Sequence, residues 1–367
     1  MDGSSRLGVA RIPGVRLLDA LRLVRLDRLL ARYRPLLDPD APERGGRFDD
    51  RSLRDFATLY FGRSISERWI GPFSTSGTLN RPEDASRLLF LLRAASHRSA
   101  ALATLRGGIG AFFAELAEGL DVRLGATVEE VAARSDGGFD VHFRTDAGGG
   151  TAPADGLILA VPAAATLRAA RPVLAPAEVD FLSAVETVPA MTLSVGLTGR
   201  GFDVARRVMV PAGEGLPVEA VSLLPAAATC GLAGDAATKG LPAEGGLVVA
   251  VSTAAFAARQ GGAADEVVAK ELFDALARIV PAVRSESGRA FSALNRIPEA
   301  MPRFDAGHFR RLASFRRVHG TLRAEGRRLY FAGDHLAGPW IEAAVSSGRR
   351  AAEELLVDLA DPADPAG

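Results

Sequence analysis

Arg328-Leu329-Tyr330-Phe331-Ala332-Gly333-Asp334-His335, followed after two residues by Gly338-Pro339-Trp340-Ile341-Glu342-Ala343-Ala344-Val345-Ser346-Ser347-Gly348-Arg349-Arg350-Ala351-Ala352, is the stretch on which the fold turns. Residues 328–332 read as a short buried strand that ends in Ala-Gly-Asp, and Gly338 with Pro339 marks a loop. From Trp340 or Ile341 the spacing predicts a helix to about residue 359. A helix that opens just past a strand turns unpaired backbone N–H groups and the positive end of its dipole toward whatever lies beyond that strand. Such a start suits an anion or an electron-accepting ring, and the small residues Ala343, Ala344 and Gly348 let the helix lie close against it.

Working upstream, Ala154-Asp155-Gly156-Leu157-Ile158-Leu159-Ala160-Val161-Pro162 reads as a continuous apolar strand of the kind buried on both faces, closed by proline. Phe139, Val141 and Phe143 alternate with Asp140, His142 and Arg144 after a Ser135-Asp136-Gly137-Gly138 turn, which predicts a hairpin with its partner strand over 126–132. Further strands are expected at 191–197, 247–252 and 289–296, with helices at 176–185 and 264–279. Before residue 103 helices dominate. Over 15–37, Leu and Val recur at helical spacing opposite Arg22, Arg25, Arg28 and Arg32, an amphipathic pattern. Its basic face is either a solvated surface over a core or a contact with lipid headgroups, and Asp19 and Asp27 dilute the charge in favour of the first. Asp49-Asp50-Arg51-Ser52 signals the start of a helix through Phe61. Helix and strand interleave throughout, so the class is α/β in the mixed, α+β sense, in two domains. The Gly/Ala-rich stretch 224–246 reads as a mobile surface excursion and the tail 361–367 as frayed.

A chain of 367 residues with 48% hydrophobic and 24% charged residues has too much apolar content for a disordered protein and no collagen or coiled-coil period. Lys+Arg 44 balances Asp+Glu 44, so no whole-chain field draws it to nucleic acid. Its single cysteine, Cys230, cannot close an internal disulfide, and no CxxC or Cys/His cluster offers a metal site; a reducing, cytoplasmic setting is the expectation. The first residues lack an apolar leader and the run 88–92 is too short to span a bilayer, which allows at most peripheral contact at an inner membrane face. Gly107-Gly108-Ile109-Gly110 fails as a dinucleotide fingerprint because Phe113 stands where a third glycine belongs, and it reads instead as a turn that starts a helix. No GxSxG elbow occurs. Of the histidines, His335 stands beside Asp334 and is an acid/base candidate, His308 reads as a cap on nearby backbone, and His97, His142 and His319 carry no signal.

The 328–352 stretch resembles the C-terminal flavin motif of the FAD-dependent amine oxidase superfamily, which includes monoamine oxidases, protoporphyrinogen oxidases and phytoene desaturases: approximately LY-AGD, a short loop, a hydrophobic residue and then E-G-A-V-x-S-G-x-x-A-A. Asn295-Arg296-Ile297-Pro298-Glu299-Ala300-Met301-Pro302-Arg303-Phe304-Asp305-Ala306-Gly307-His308 is similar to the A-x-P-x-x-x-x-G-H stretch of the protoporphyrinogen oxidase branch. Residues 106–111, 121–131 and 157–162 stand where the family has its GG-turn, its adenine-side strand and its AVP strand.

The resemblance implies a flavoprotein oxidoreductase with a truncated Rossmann-like FAD domain (104–162 with 325–358), a substrate domain made of helices (15–103) and a mixed sheet (163–324), and a tail (359–367). The family's opening strand, GxGxxG and helix, about a hundred residues by the usual size of a mononucleotide half-domain, has no counterpart here. A misplaced start, a second chain that supplies that half, and a different mode of FAD binding are the three readings. Carried over by position, Gly333 and Asp334 would meet the ribityl chain, backbone N–H groups at Ile341 and Glu342 would face flavin O2 and N1, and Val128 would meet adenine. Ala343 replaces a glycine beside the cofactor, and Trp340 and His335 are the catalytic candidates. Thr192 stands where amine-oxidising members carry a lysine near flavin N5, which speaks against a standard amine oxidase and suits the porphyrinogen and desaturase branches. The implied activity is hydride transfer from a lipophilic or planar substrate to flavin N5, with O2 or a quinone as acceptor. The other reading is a non-catalytic binding or partner-docking module, paired with a second copy or with a chain that completes the FAD domain.

Overall fold

The computed structural model describes residues 6–96, 109–198, 202–225, 245–285 and 288–360. The glycines 107–108, His97, Cys230, most of the 224–246 excursion and the 361–367 tail lie outside the described residues.

The amphipathic stretch predicted as one helix is two, α1 (Leu17–Arg22) and α2 (Val24–Tyr33), divided at Leu23 by a tight turn in which Leu26 N–H bonds the Leu23 carbonyl at 2.9 Å. On α2 the pattern works as expected: Leu26 and Leu30 are buried and Arg25, Arg28 and Arg32 are in solvent. On α1 it inverts. Leu17, Leu18 and Leu21 are 66%, 72% and 59% exposed. Asp19 faces inward, accepting the Ser64 hydroxyl at 2.7 Å and the Arg22 guanidinium at 2.9 Å. A polar anchor, not apolar burial, therefore sets the face of α1.

The third helix, α3 (Leu53–Phe61), starts where the Asp49–Ser52 pattern places it, with the Ser52 hydroxyl accepting the Asp55 N–H at 3.1 Å. After α4 (Gly71–Thr78), α5 (Arg87–Ser96) carries the run Leu88–Leu92 fully buried, the mark of a helix enclosed on all sides. Beyond α6 (Ile109–Leu116), β1 (Thr127–Ala133) and β2 (Phe139–Thr145) form the predicted hairpin. A third strand, β3 (Gly148–Ala154), extends it on the far side of β2. It was not anticipated, since three consecutive glycines carry no strand signal. It is held by its ladder to β2, where a Cβ at Gly150 would lie 2.7 Å from the Phe143 ring that covers it.

The strand expected at 154–162 is shorter and less enclosed than predicted, and Ala154 belongs to β3 instead. Only β4 (Leu157–Leu159) is extended, Leu157 and Ile158 are half-buried, and Val161 is 44% exposed. Among the described residues its one strand partner is a single parallel segment near the C-terminus, so one flank lacks the neighbour that burial on both faces needs.

After α7 (Ala163–Ala170) and α8 (Pro176–Ser183), a five-stranded antiparallel sheet is built from β5 (Thr187–Leu197), β6 (Arg206–Met209), β7 (Val218–Pro225), β8 (Gly246–Ser252) and β9 (Arg289–Pro302), in the order β6-β7-β8-β5-β9. Met191, Leu193, Val195 and Leu197 alternate onto the face covered by the last helix of the pair α9 (Ala254–Arg259) and α10 (Asp265–Ile279), whose Val268, Leu272 and Leu276 complete that core. Thr192 and Ser194 point to the other face.

The helix α11 (His308–Ala324), also not anticipated, buries Phe309, Leu312 and Phe315 on one side. β10 (Leu329–Phe331) pairs in parallel with β4, and α12 (Ile341–Ala360) packs Ala351 and Leu355 over Tyr330. One continuous core joins α2, α3, α5, α8 and α11 to β1, β2, β4 and β10. Beneath it the buried Glu178 of α8 accepts both terminal nitrogens of Arg327 and the Ala175 N–H. Among the described residues no helix is long and apolar enough to cross a membrane, and no group of three or more His, Cys, Asp or Glu is placed to hold a metal ion.

Candidate active site

The two parallel strands β4 and β10 run side by side and end together, the Ala332 N–H bonding the Leu159 carbonyl at 3.0 Å. Past their C-terminal ends, where α/β sheets place their ligands, opens a cleft of about 240 Å3. Ala160, Val161 and Pro162 form one wall, Gly333, Asp334 and His335 a second, Ala344 of α12 a third, and Ala300 and Met301 of β9 the floor. These four segments, far apart in sequence, thus converge, and each lies in a stretch singled out by the sequence.

Gly333 is the corner of this cleft. Its φ of 149° and ψ of 163° belong to a region open in practice only to glycine, and a Cβ there would stand 2.6 Å from the His335 ring. The Ser347 hydroxyl locks it: Oγ accepts the Gly333 N–H at 2.9 Å and lies 3.0 Å from the Gly333 carbonyl and 2.9 Å from that of Ala344, to one of which its proton goes. The backbone is held against α12 while its outer side stays clear. Asp334 follows, half-exposed, with Oδ1 accepting the His335 N–H at 2.9 Å; burial raises its carboxyl above the usual range.

His335 borders the cleft but is almost wholly enclosed, stacked 6.5 Å from Phe181, and burial pushes it down to about 4. At neutral pH it is an uncharged imidazole. His308 does not cap its own neighbourhood: its Nε2 donates to the His335 carbonyl, 27 residues on, at 2.9 Å. Its Nδ1 is buried without a partner, and burial pushes the ring down to about 3. The pair fixes the Asp334–Leu336 turn through a neutral hydrogen bond. His319, which carried no signal in the sequence, lies 3.9 Å from Glu178 and 3.5 Å from Glu354, within the ionic layer under α11.

Of the other expected site residues, Ile341 and Glu342 are exposed in the first turn of α12, where helical N–H groups have no partner within the helix. Ala343 is buried against the interior, and it is Ala344 that borders the cleft. Trp340 is half-buried against the helical core, and a Cβ at Gly338 would strike its indole at 2.4 Å, so the glycine seats the ring. Val128 stands on β1 in a separate sheet, 45% exposed and next to a bulge, away from the cleft. Thr192 pairs with Asn295 of β9 and Val251 of β8 on the open face of the large sheet. Ser347 was missed in the sequence, although its place fourteen residues after Gly333, on the inward side of a helix rich in small residues, was legible.

Residues 13–356 match the family model of flavin containing amine oxidoreductases. A search of curated proteins found no match. Among solved structures the fold is similar to a protein assigned as a protoporphyrinogen oxidase from Exiguobacterium sp. 255-15, at 16% identity and a TM-score of 0.63, over 95% of this chain and 73% of that one. It is similar to putrescine oxidase bound to putrescine, at 17% identity and a TM-score of 0.65, over 94% and 77% of the two chains. The cyclohexylamine oxidase from Brevibacterium oxydans IH-35A matches at 13% identity and a TM-score of 0.63, over 95% and 77%. With its glycine corner, clamped helix start and strand-end cleft all inside the matched span, the chain belongs to the flavin containing amine oxidoreductases and is an FAD-dependent oxidoreductase.

Proposed function

We propose that the cleft at the ends of β4 and β10 holds the flavin end of FAD and that the chain oxidises a lipophilic or planar substrate by hydride transfer to flavin N5, with O2 or a quinone as the final acceptor. The observation that carries this is the Gly333 corner, which borders the cleft, has no room for a side chain and is clamped by Ser347. The residues present fit that end of the cofactor. Small walls at Ala160, Pro162 and Ala344 admit a flat ring, and Asp334 offers a carboxyl for ribityl hydroxyls. The first-turn N–H groups of α12 at Ile341 and Glu342 would stabilise negative charge at flavin O2 and N1. When bound, the flavin supplies the two-electron acceptor. The chain's part is to position the substrate and keep water out. His335, neutral and enclosed, would hold its wall of the cleft rather than exchange protons. Trp340 would fix the loop that leads into α12, and Val128 would meet the adenine end through its backbone. Thr192 leaves no ammonium at the sheet face, which favours porphyrinogen-like or desaturation chemistry over standard amine oxidation. The exposed leucines of α1 beside Arg16, Arg22 and Arg25 supply a face for peripheral contact with an anionic membrane.

The test is the absorption spectrum of the purified chain with and without added FAD. Oxidised flavin that stays with the protein through gel filtration is expected, and Gly333→Ala should lose it, since the added methyl meets the His335 ring. A wild-type protein that remains colourless with excess FAD would overturn the reading and favour the docking module.

A further inference from the structure

The turn Asp334–Leu336 follows the Gly333 corner, and each of the four carbonyl oxygens from Gly333 to Leu336 is taken by a donor of the chain. Two are satisfied locally. The Gly333 carbonyl accepts the Leu336 N–H at 3.3 Å, and that of Asp334 accepts the N–H groups of Ala337 and Gly338 at 3.0 and 2.8 Å. The other two are met by side chains of α11. His308 Nε2 donates to the His335 carbonyl at 2.9 Å, and Arg316 Nη2, about two turns further along the helix, donates to the Leu336 carbonyl at 3.0 Å.

These two bonds reach the cleft through the backbone. The His335 carbonyl and the Leu336 N–H belong to one planar peptide group, so His308 at one end and the Gly333 carbonyl at the other hold the same rigid unit. In the same way the peptide between Leu336 and Ala337 links Arg316 to the Asp334 carbonyl. Hydrogen bonds in series polarise and strengthen one another in a dry interior. The His335 N–H meanwhile holds Asp334 Oδ1 at 2.9 Å, so the carboxyl that borders the cleft is fixed by the same turn. The helix that supplies both donors is itself anchored. Buried Asp49 accepts the Arg310 N–H at 3.0 Å and the Ser86 hydroxyl at 2.6 Å, and Arg316 is paired with Glu43 at 3.3 Å.

Packing alone would not choose a histidine at 308. The ring is fully buried among Phe304, Phe309 and Phe181, at centroid distances of 4.6, 5.2 and 5.6 Å, and its Nδ1 has no partner. A phenylalanine would fill this aromatic cage with no polar atom left over, and a buried unpaired nitrogen costs stability. What the histidine adds is the single Nε2–H bond, and a local penalty of this kind is kept where function requires it. We propose that α11 positions the cofactor turn, with His308 and Arg316 as positioning residues that fix the Gly333 corner and the Asp334 carboxyl for the ribityl side of the flavin through the two peptide relays. The inference deepens the flavin reading given above and rests on it.

The experiment titrates FAD into the full chain, follows the quenching of flavin fluorescence, and records the visible circular dichroism of the bound flavin at saturation. Amide hydrogen exchange of the protein without FAD gives a reading that needs no cofactor. His308→Phe keeps the cage and removes the donor. Expected are an affinity for FAD weaker by about tenfold, an altered flavin dichroism at saturation, and faster exchange at Leu336 and Ala337 with the rest of the core unchanged. His308→Gln, whose side-chain amide supplies a donor again, should bring all three back toward wild type. If His308→Phe does not fold, Arg316→Lys carries the test: a single ammonium cannot serve Glu43 and the Leu336 carbonyl together as the guanidinium fork does, so FAD affinity should fall and exchange at Ala337 quicken. Unchanged affinity and dichroism in the folded variant, or a His308→Gln as weak as His308→Phe, overturns the positioning role and leaves the flavin reading standing. A wild-type chain that binds no FAD overturns both.

Discussion

The large sheet β5–β9 and the small pair β4 and β10 are made of similarly apolar sequence but bury it differently. In the large sheet each of the three inner strands has a partner on both sides, and α10 covers one face, so Leu193, Val195 and Val248 are completely enclosed. In the small pair each strand has one partner among the described residues. Val161, at the end of β4, and Ile341 and Val345, on the helix beside it, stay substantially in solvent. The difference teaches how one chain makes both a closed scaffold and an open rim. The sheet that closes its own core supplies a scaffold, whereas the one left open at the strand ends carries the glycine corner and the cleft in which we propose that the flavin end of FAD is held.

On the side of the small pair, Glu178 ties α8 to the chain entering β10, and breaking that tie is the largest expected effect. Glu178→Ala leaves the Arg327 guanidinium inside the protein without its carboxylate, a loss of about 3–5 kcal/mol of stability, measurable by urea unfolding. Should the variant unfold with unchanged midpoint, the tie contributes nothing to the seating of β10. The comparison of burial is then sharpened directly. Leu193→Ala in the closed sheet should cost about 2–5 kcal/mol and Val161→Ala beside the open one below about 1 kcal/mol, since only the first leaves a cavity. Equal costs would mean that Val161 is covered in solution.

Acid reads the same contrast through the two buried histidines beneath the cleft. Their folded values, about 3 for His308 and about 4 for His335, lie below the ordinary 6.5, so unfolding takes up protons. Their contribution is complete above about pH 6.5 and drains away as pH falls toward the folded values. Glu219, raised by burial, works in the opposite direction, favouring the fold at lower pH. Replacing His308 by Gln isolates one histidine: between about pH 6 and pH 4 the fall in stability should be shallower than wild type by about 1.4 kcal/mol per pH unit. Identical slopes would show that His308 is not held neutral. The smallest effect belongs to Thr192→Lys. It adds a charge on the open face of the large sheet, and unfolding should shift by no more than about 0.5 kcal/mol; a large loss would mean that this face is closed.

Much of the architecture was legible because it is written in short-range periodicity. The 139–145 alternation, the Ser52 cap and the strand, loop and helix from 328 to 359 each depend on neighbours within a few residues. The site was legible in part for the same reason, since Gly333, Asp334 and the start of α12 form one contiguous motif. Other features were not. The Gly148-Gly149-Gly150 strand is held by its ladder to β2, with the Phe143 ring in the space a Cβ at Gly150 would take, and α1 turns its leucines outward because Asp19 is claimed by Ser64, 45 residues away.

By itself, then, the sequence determined the elements and their faces: which residues alternate, which turn needs glycine, which helix begins beyond a strand. Only the tertiary structure decided the value of each face. It brought Met301 of β9 to the floor below Gly333, set His308 under the His335 carbonyl, and enclosed the Glu219 carboxyl with Oε2 lacking a hydrogen-bond partner. Periodicity is a property of a segment and is readable from it. Burial, and the hydrogen-bond partners and proton affinities that follow from burial, belong to the pair of surfaces that meet, and that meeting is settled only when distant parts of the chain are packed.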